Sequence, residues 1–152
     1  MNMVYWVVPG LLAGRPGPGR APWDLAELWA RGFRTIVSLV KVDGVAIRAA
    51  GFRHYQAPLI GGMAFLPPLR RRLARLILPV VDLIAAEVAA GRPTLVHCRM
   101  GKDRTGAVLA AYLIRHRGLS CDEAIRLVRQ ANPRAMTSPG FDRLPRLFVE
   151  AV

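Results

Sequence analysis

Apolar positions along the chain fall into two patterns, short β-branched runs and longer stretches with helical spacing. The longest helical pattern starts at Leu69 and stops at Gly91, with apolar residues recurring three and four positions apart. Pro79 lies inside this stretch and predicts a kink. Short apolar runs, such as residues 35–40 and 94–97, are typical of buried strands. The chain is therefore expected to alternate strands with helices.

The same patterns predict where each element begins and ends. The apolar residues 1–13 are interpreted as a strand that enters the fold, with its regular part at 11–13. Ser120 and Ser138 directly precede the last two helices and are predicted to cap them. Further strands are predicted at residues 35–40, 52–57 and 94–97, and helices at residues 23–31, 45–50, 69–90, 106–117, 121–130 and 139–149.

Strands separated by helices and followed by a helical tail indicate an α/β fold. We expect a small, mostly parallel central sheet flanked by helices. No internal repeat or low-complexity block divides the 152 residues, and the one stretch rich in proline and glycine, residues 14–22, is short enough to be a single loop. A single domain over residues 1–152 is therefore expected.

Composition narrows the function classes without deciding among them. The net charge of +12 comes almost entirely from arginine, since Lys41 and Lys102 are the only lysines. Such a charge favours anionic partners, although a general excess of arginine in the source proteome explains it equally well. DNA is not expected as a partner, and the oligomeric state stays open.

Cysteine usage and hydropathy argue against several other classes. Cys98 and Cys121 are too few for a disulfide framework, and with three histidines they form no recognisable zinc motif, so neither a metal nor another cofactor is expected. No stretch approaches the roughly eighteen uninterrupted apolar residues of a membrane span, so integral membrane association is not expected. The apolar N-terminus lacks a basic leader, and a cytoplasmic location is expected.

Segment 97–106 holds the most informative residues, because it lies between a predicted strand and a predicted helix. A tight loop there aims successive backbone N–H groups into one concavity at the positive end of a helix dipole, which suits a tetrahedral dianion. Gly101 lets the backbone turn where a side chain would obstruct it, and Arg104 offers a planar fork to two phosphate oxygens. The predicted phosphate-binding residues are Arg99, Met100, Gly101, Lys102, Asp103 and Arg104.

Cys98 directly follows the predicted strand and is predicted to be the nucleophile. Thiols near helix N-termini and cations ionise more readily than free cysteine, and a thiolate can attack phosphorus to form a phosphocysteine that water then hydrolyses. Thr105 is expected to donate its hydroxyl to the sulfur and help it leave. His97 is expected to orient the loop by hydrogen bonding, because a thiolate needs no base.

These residues resemble the signature of protein tyrosine and dual-specificity phosphatases, in which His-Cys is followed by Arg-Thr after a short loop. The fixed positions of that signature are present as His97, Cys98, Gly101, Arg104 and Thr105. Residues 8–16 and 32–39 are similar to the opening strand with its turn and to the second strand of small dual-specificity phosphatases. The resemblance implies their fold, a metal-free reaction, and a phosphorylated protein as substrate, through phosphotyrosine and also phosphoserine or phosphothreonine.

The general acid of such enzymes, an aspartate on a separate loop before the cysteine, has no counterpart at the matching place. Residues 58–65 contain no acidic side chain, and Gly61 lies about where the acid is expected. A positioned acid contributes roughly 10² to 10⁴ in rate for a poor leaving group. Asp103 is the preferred substitute, because an aspartate at this place resembles some phosphoinositide phosphatases and related bacterial phosphatases. Alternatively, Asp103 pairs with a basic neighbour and braces the loop, or Asp43 is the donor.

Other functions stay open on the sequence alone. Arg99 and Lys102 occupy positions at which inositol-lipid phosphatases of the tensin type carry basic residues. A polyphosphorylated small molecule or lipid head group is therefore an alternative substrate, as is the 5′ end of RNA. The missing acid also fits a phosphate-binding module with weak or no catalysis, although the presence of both Cys98 and Arg104 argues against it.

Overall fold

The computed structural model describes residues 3–61 and 64–150, which form a five-stranded sheet with helices on both faces. Each predicted element has a counterpart, and no helix of the described segments is long and apolar enough to cross a bilayer. The elements are β1 (Tyr5–Val8), β2 (Leu12–Arg15), α1 (Leu25–Ala30), β3 (Thr35–Ser38), α2 (Gly44–Ala49), β4 (Arg53–Gln56), α3 (Pro67–Ala89), β5 (Thr94–His97), α4 (Arg104–Arg117), α5 (Cys121–Ala131) and α6 (Leu144–Glu150).

The strands lie in the order β1-β2-β5-β3-β4 across the sheet. β1 pairs antiparallel with β2, and all other pairings are parallel. The predicted α/β fold with a small, mostly parallel sheet is thus confirmed. Every residue of β2, β3 and β5 is buried, because helices cover both faces of the central strands, whereas the edge strand β4 is partly exposed.

Alternate residues of the central strands enter two separate hydrophobic clusters. Val37 and Val96 belong to the larger cluster, which also takes the apolar sides of α3, α4, α5 and α6. Ile36 and Leu95, one position earlier, belong to a smaller cluster beneath α1 and α2. α4 lies deepest, with every residue from 105 to 114 buried. The loop between β5 and α4 is therefore anchored in the core at both ends.

That loop lies at the carboxyl edge of the parallel strands, where open α/β sheets place their ligand sites. Residues 98–103 join β5 to α4. The segments that follow β2 and β3 reach the same edge, because both strands are parallel neighbours of β5. Residues 17–19 and 40–43 consequently line a cavity together with Cys98.

The N-terminal strand differs from the expectation. The single strand predicted over residues 1–13 is a hairpin of β1 and β2 within the described residues. Pro9 and Gly10 lie in the intervening turn, where Gly10 adopts a left-handed φ of 73° that glycine accepts without strain. Because both strands are apolar, the apolar pattern continues on either side of the turn, and the two strands were predicted as one.

One of the two predicted helix caps is wrong. Ser120 caps α5 in a capping box with Glu123, as expected. Ser138 caps no helix, because α6 begins at Leu144 and the residues before it form turns. Gly140 has a φ of +87°, which a right-handed helix does not accommodate, so the helix predicted from residue 139 starts later.

Glu87 on α3 is a buried carboxylate, 3% exposed, that fastens this helix to the sheet. It accepts hydrogen bonds from Thr35 on β3 at 2.9 Å, from Arg53 on β4 at 2.7 Å and from Arg92 at 2.5 Å. Burial alone would raise its pKa, but the hydrogen bonds from Arg92, Arg53 and Thr35 outweigh this and lower the pKa to about 2.

Stability is expected to fall in acid through this carboxylate. Because the folded pKa of about 2 lies below the ordinary 4.5, the carboxylate stabilises the fold above pH 4.5, and this contribution is lost as the pH falls toward 2. Glu87→Gln should lower the free energy of unfolding at pH 7 by about 1–3 kcal/mol and weaken its pH dependence. Urea titrations of both proteins at neutral and acidic pH measure this, and an unchanged pH dependence in the variant would contradict it.

Candidate active site

Cys98 lies at the floor of the loop between β5 and α4, and the residue is 1% exposed. Its sulfur accepts two hydrogen bonds, from the backbone N–H of Gly101 at 3.3 Å and from the hydroxyl of Thr105 at 3.0 Å. Both donors stabilise negative charge on the sulfur. The structure therefore brings together the cysteine and the threonine that the sequence singled out.

Four backbone carbonyl groups of the loop accept hydrogen bonds from the surrounding protein. In a planar trans peptide the N–H points opposite to the C=O, so each of these carbonyls directs the N–H of the same peptide toward the inside of the loop. The amides of residues 99, 100, 102 and 103 have no protein acceptor among the described residues. The carbonyl of Cys98 accepts from His97 Nδ1 at 3.0 Å, that of Arg99 from Gly17 N at 2.9 Å, that of Gly101 from Tyr5 Oη and from Asn132 Nδ2 at 3.4 Å, and that of Lys102 from Met136 N at 3.1 Å.

Two glycines permit this close packing around the loop. Gly101 has a φ of +71°, and a Cβ built there would lie 2.4 Å from the carbonyl carbon of Arg15. A Cβ at Gly17 would lie 2.4 Å from the carbonyl oxygen of Cys98. Both contacts involve backbone that cannot move aside, so these positions need glycine. The role predicted for Gly101 as a turning point agrees with its geometry.

His97 is wholly buried beneath the loop. Burial lowers its pKa to about 4, and the charge of Arg15 on the neighbouring strand β2 acts in the same direction. The imidazole is therefore neutral at pH 7. Its hydrogen bond to the Cys98 carbonyl suits the orienting role predicted from the sequence.

Arg104 is the first residue of α4 and reaches the rim of the loop. Its guanidinium donates a hydrogen bond to the carbonyl of Leu59 at 3.3 Å. A Cβ at Gly61 would lie 3.0 Å from the guanidinium carbon, so the segment in which an acid is usually found instead packs closely against this arginine. The guanidinium is thus held in place beside Cys98 by backbone.

Two cavities meet at Cys98 and Arg104. The larger, of ≈ 590 Å³, is bounded by residues 17–19 and 40–43 and by Arg99. The smaller, of ≈ 140 Å³, is lined on its far side by Gly61, Met100, Asp103 and Phe141. A phosphate seated above the sulfur would have space on both sides for the rest of a substrate.

Asp103 is engaged in a brace between the loop and the segment before α6. Its carboxylate forms an ion pair with Lys102 at 2.9 Å and accepts a hydrogen bond from the backbone N–H of Ser138 at 3.2 Å. Lys102 also donates to the Ser138 hydroxyl at 2.9 Å. The alternative arrangement considered for Asp103, a pair with a basic neighbour, is therefore present. With the Lys102 ammonium in this brace, its backbone amide is the group left to bind phosphate.

Asp43, the other candidate acid, caps α2 by accepting hydrogen bonds from the backbone N–H groups of Val45 and Ala46. It lines the larger cavity together with Lys41 and Arg99. Both basic side chains are exposed, and no ion-pair partner for either is found within the described segments. The basic lining of this cavity had been foreseen only at Arg99.

Sequence reasoning missed the residues that hold the loop from outside. Tyr5, Gly17 and Asn132 contact its carbonyl groups from three distant parts of the chain. A carbonyl acceptor leaves no trace in the sequence of its donor, so no local signal marks these residues.

The site has a cysteine at the floor of an amide-lined loop and an arginine at the rim of that loop, and it lies at the carboxyl edge of an α/β sheet. These features define a cysteine-dependent phosphatase. Comparison with known proteins supports this class. Residues 70–146 match the family model described as the catalytic domain of dual specificity phosphatases. The chain is 40% identical over 146 residues to human dual specificity phosphatase 28, an alignment that spans 96% of this chain and 77% of the relative. This chain belongs to the dual-specificity phosphatase family, which confirms the resemblance found in the sequence.

Solved structures place the fold in the same group. The crystal structure of human DUSP28 superposes with a TM-score of 0.78 at 28% identity and covers 99% of this chain and 95% of that chain. The crystal structure of PTPMT1 in complex with PI(5)P superposes with a TM-score of 0.76, covering 99% of this chain and 96% of that one. Its identity is 16%, so this second likeness shows the fold alone.

Proposed function

We propose that this single domain hydrolyses phosphate monoesters of proteins through a phosphocysteine on Cys98, with phosphotyrosine as the preferred substrate. The observation that carries the proposal is the sulfur beneath inward-directed amides, hydrogen-bonded by Gly101 and Thr105. Arg104 at the rim binds two phosphate oxygens through its planar guanidinium. A cytoplasmic location stays a prediction.

The reaction proceeds in two displacements at phosphorus. The Cys98 thiolate attacks, a sulfur–phosphorus bond forms, and the bond to the leaving oxygen breaks with its electron pair on that oxygen, which takes a proton. Water then attacks the phosphocysteine and gives a proton to the group that donated one in the first step, while the sulfur–phosphorus bond breaks and releases inorganic phosphate and the thiolate. Thr105 stabilises the departing sulfur through its hydroxyl, 3.0 Å away. The loop amides hold the equatorial oxygens in both steps.

Asp103 is the proposed proton donor of the first step, because it lines the small cavity with Cys98 and Arg104. Both oxygens of its carboxylate are engaged by Lys102 and Ser138, so proton donation to the leaving oxygen requires this brace to open. This requirement favours substrates whose leaving group departs readily. Phenols such as tyrosine, with a pKa of about 10, are better leaving groups than the far less acidic hydroxyls of serine and threonine.

Asparagine substitutions separate the candidate acids. If Asp103 donates the proton, Asp103→Asn should lower kcat about 10²- to 10⁴-fold on phosphotyrosine peptides and much less on an activated aryl phosphate, whose leaving group needs no proton. Asp43→Asn serves as the matched control and should affect both substrates little. Equal losses on both substrates in Asp103→Asn would assign the residue to the brace alone, and a selective loss in Asp43→Asn would transfer the role to Asp43.

A polyanionic substrate is the second candidate, favoured by Lys41 and Arg99. Both are exposed, line the larger cavity beside Arg104, and suit a further phosphate on the same substrate. PTPMT1, which shares the fold, was crystallised in complex with PI(5)P. Asp43 in the same cavity opposes such a second anion, which is why protein substrates are preferred here.

Parallel kinetics on four substrates test the proposal. We expect the highest kcat/KM for a phosphotyrosine peptide, compared with a phosphoserine peptide, a soluble inositol-lipid head group and an RNA with a 5′-triphosphate. The reason is the combination of an acidic leaving group with a single bound phosphate. A higher kcat/KM for the head group or the RNA would overturn the substrate assignment. Absence of turnover on every substrate, including an activated aryl phosphate, would identify a phosphate-binding module instead.

A further inference from the structure

Hydrogen bonds between side chains of three parallel strands connect the edge of the sheet to the active-site loop. Ser38 ends β3 and lies in register with His97, which ends β5. Its hydroxyl oxygen is 2.6 Å from His97 Nε2 and 2.9 Å from Nε2 of His54 on β4. The other ring nitrogen of His97, Nδ1, is 3.0 Å from the Cys98 carbonyl. Ser38 and His97 are both wholly buried.

The donor and acceptor properties of these groups fix the position of every proton in this series of hydrogen bonds. A carbonyl oxygen only accepts, so the proton of the neutral His97 ring lies on Nδ1. Its Nε2 must then accept, and the Ser38 hydroxyl is the donor that faces it. That hydroxyl has a single proton, so toward His54 it accepts, and His54 carries its proton on Nε2. The two histidines therefore hold opposite tautomers.

We propose that Ser38 and His54 are positioning residues for the reaction at Cys98, acting through His97 on the first peptide of the phosphate loop. Fixing the Cys98 carbonyl fixes the opposite N–H of the same peptide, which belongs to Arg99 and is directed into the anion site. Among the described hydrogen bonds to the loop carbonyls, the bond from His97 is the one that continues through neutral side chains of two further strands. The inference rests on the proposed function for its kinetic consequence, but not for its proton arrangement.

The hydrogen bonds from His54 to Ser38 and from Ser38 to His97 form a relay, and the groups around it leave the direction of these bonds unchanged. Arg15 on β2 lies in register with His97 on the side away from Ser38, and Trp23 packs edge-on against the His97 ring at 4.9 Å. Arg48 on α2 is near His54 and, after burial, also lowers its pKa. A protonated His54 would still donate from Nε2 to Ser38, so the relay operates with His54 neutral or charged. It is a fixed support and no pH switch.

Paired substitutions at Ser38 test the positioning role. Ser38→Thr keeps the hydroxyl and adds one methyl group. Ser38→Val has nearly the same shape as the threonine variant, with a methyl group in place of the hydroxyl. We expect kcat/KM on an aryl phosphate to fall about 10- to 100-fold in the valine variant and to stay near the native value in the threonine variant. The rate at which iodoacetate alkylates Cys98, measured as a function of pH, should differ from that of the native protein only in the valine variant. Equal kinetics in the two variants would overturn the proposal.

A second pair of substitutions, at the less buried His54, tests the same role. His54→Gln retains an N–H donor toward Ser38, and His54→Leu removes it, so we expect the leucine variant alone to lose kcat/KM. Nitrogen NMR of the native protein tests the arrangement without any substitution or turnover. Protonation of His97 at Nδ1 and of His54 at Nε2 is the expected result. The reverse tautomer at either ring would overturn the relay even if the protein proves to be an active phosphatase.

Discussion

Replacing Cys98 by serine is expected to abolish turnover while leaving the phosphate loop intact. Serine fits the site of cysteine and can accept the same hydrogen bonds from Gly101 and Thr105. A hydroxyl is not ionised at neutral pH, however, so no nucleophile faces the phosphorus. We expect kcat on an activated aryl phosphate to fall on the order of 10⁵- to 10⁶-fold, the scale on which other covalent hydrolases lose activity without their nucleophile.

Binding and a second cysteine provide the controls. Cys98→Ser should still bind a phosphotyrosine peptide with nearly native affinity in calorimetry, since the loop amides and Arg104 remain. Cys121→Ser should keep native kinetics, because Cys121 is the first residue of α5 and lines neither cavity at Cys98. Vanadate should inhibit the native protein. Residual turnover within 100-fold of native in Cys98→Ser would refute the covalent mechanism.

Arg104→Lys is expected to cause the second-largest loss. Lysine keeps the charge but offers a point donor in place of a planar fork, so two phosphate oxygens are no longer held together as charge spreads over them in the transition state. Arginines that stabilise phosphoryl transfer contribute about 10³ to 10⁵ in rate, and we expect a loss of that order in kcat with a smaller rise in KM.

An arginine on the same helix serves as the matched control for this substitution. Arg115 lies on α4 and pairs with Asp82 at the surface, so Arg115→Lys should leave kcat and KM within about twofold of native. Steady-state kinetics of the two variants on one aryl phosphate give the comparison. A loss of less than tenfold in Arg104→Lys would show that the loop amides bind phosphate without help from the guanidinium.

The local parts of this structure were predictable from sequence. Strand β5, the phosphate loop and helix α4 follow one another directly, so an apolar run, a Gly101 turn and a helical pattern sufficed to place Cys98 between them. Capping of α5 by Ser120 was equally local. These predictions held because each depends on residues only a few positions apart.

The long-range parts were not predictable. Ser138 was expected to cap a helix, but contacts with Lys102 and Asp103 hold it against the phosphate loop, and Gly140 delays the start of α6. The brace on Asp103 could be stated only as an alternative, because the spacing of residues does not show which partner a carboxylate meets. The missing acid at Gly61 was visible in sequence, whereas its close packing on Arg104 was not.

The hydrogen bond from Tyr5 to the carbonyl of Gly101 joins residues 96 positions apart. Contacts of such sequence separation form late, because the entropy of closing the intervening chain must be overcome first. During refolding, helices are expected to appear before the phosphate loop takes its final shape, and enzyme activity to return only when the first strand has joined the sheet. Recovery of turnover would thus time the completion of folding, and stopped-flow fluorescence should run ahead of it.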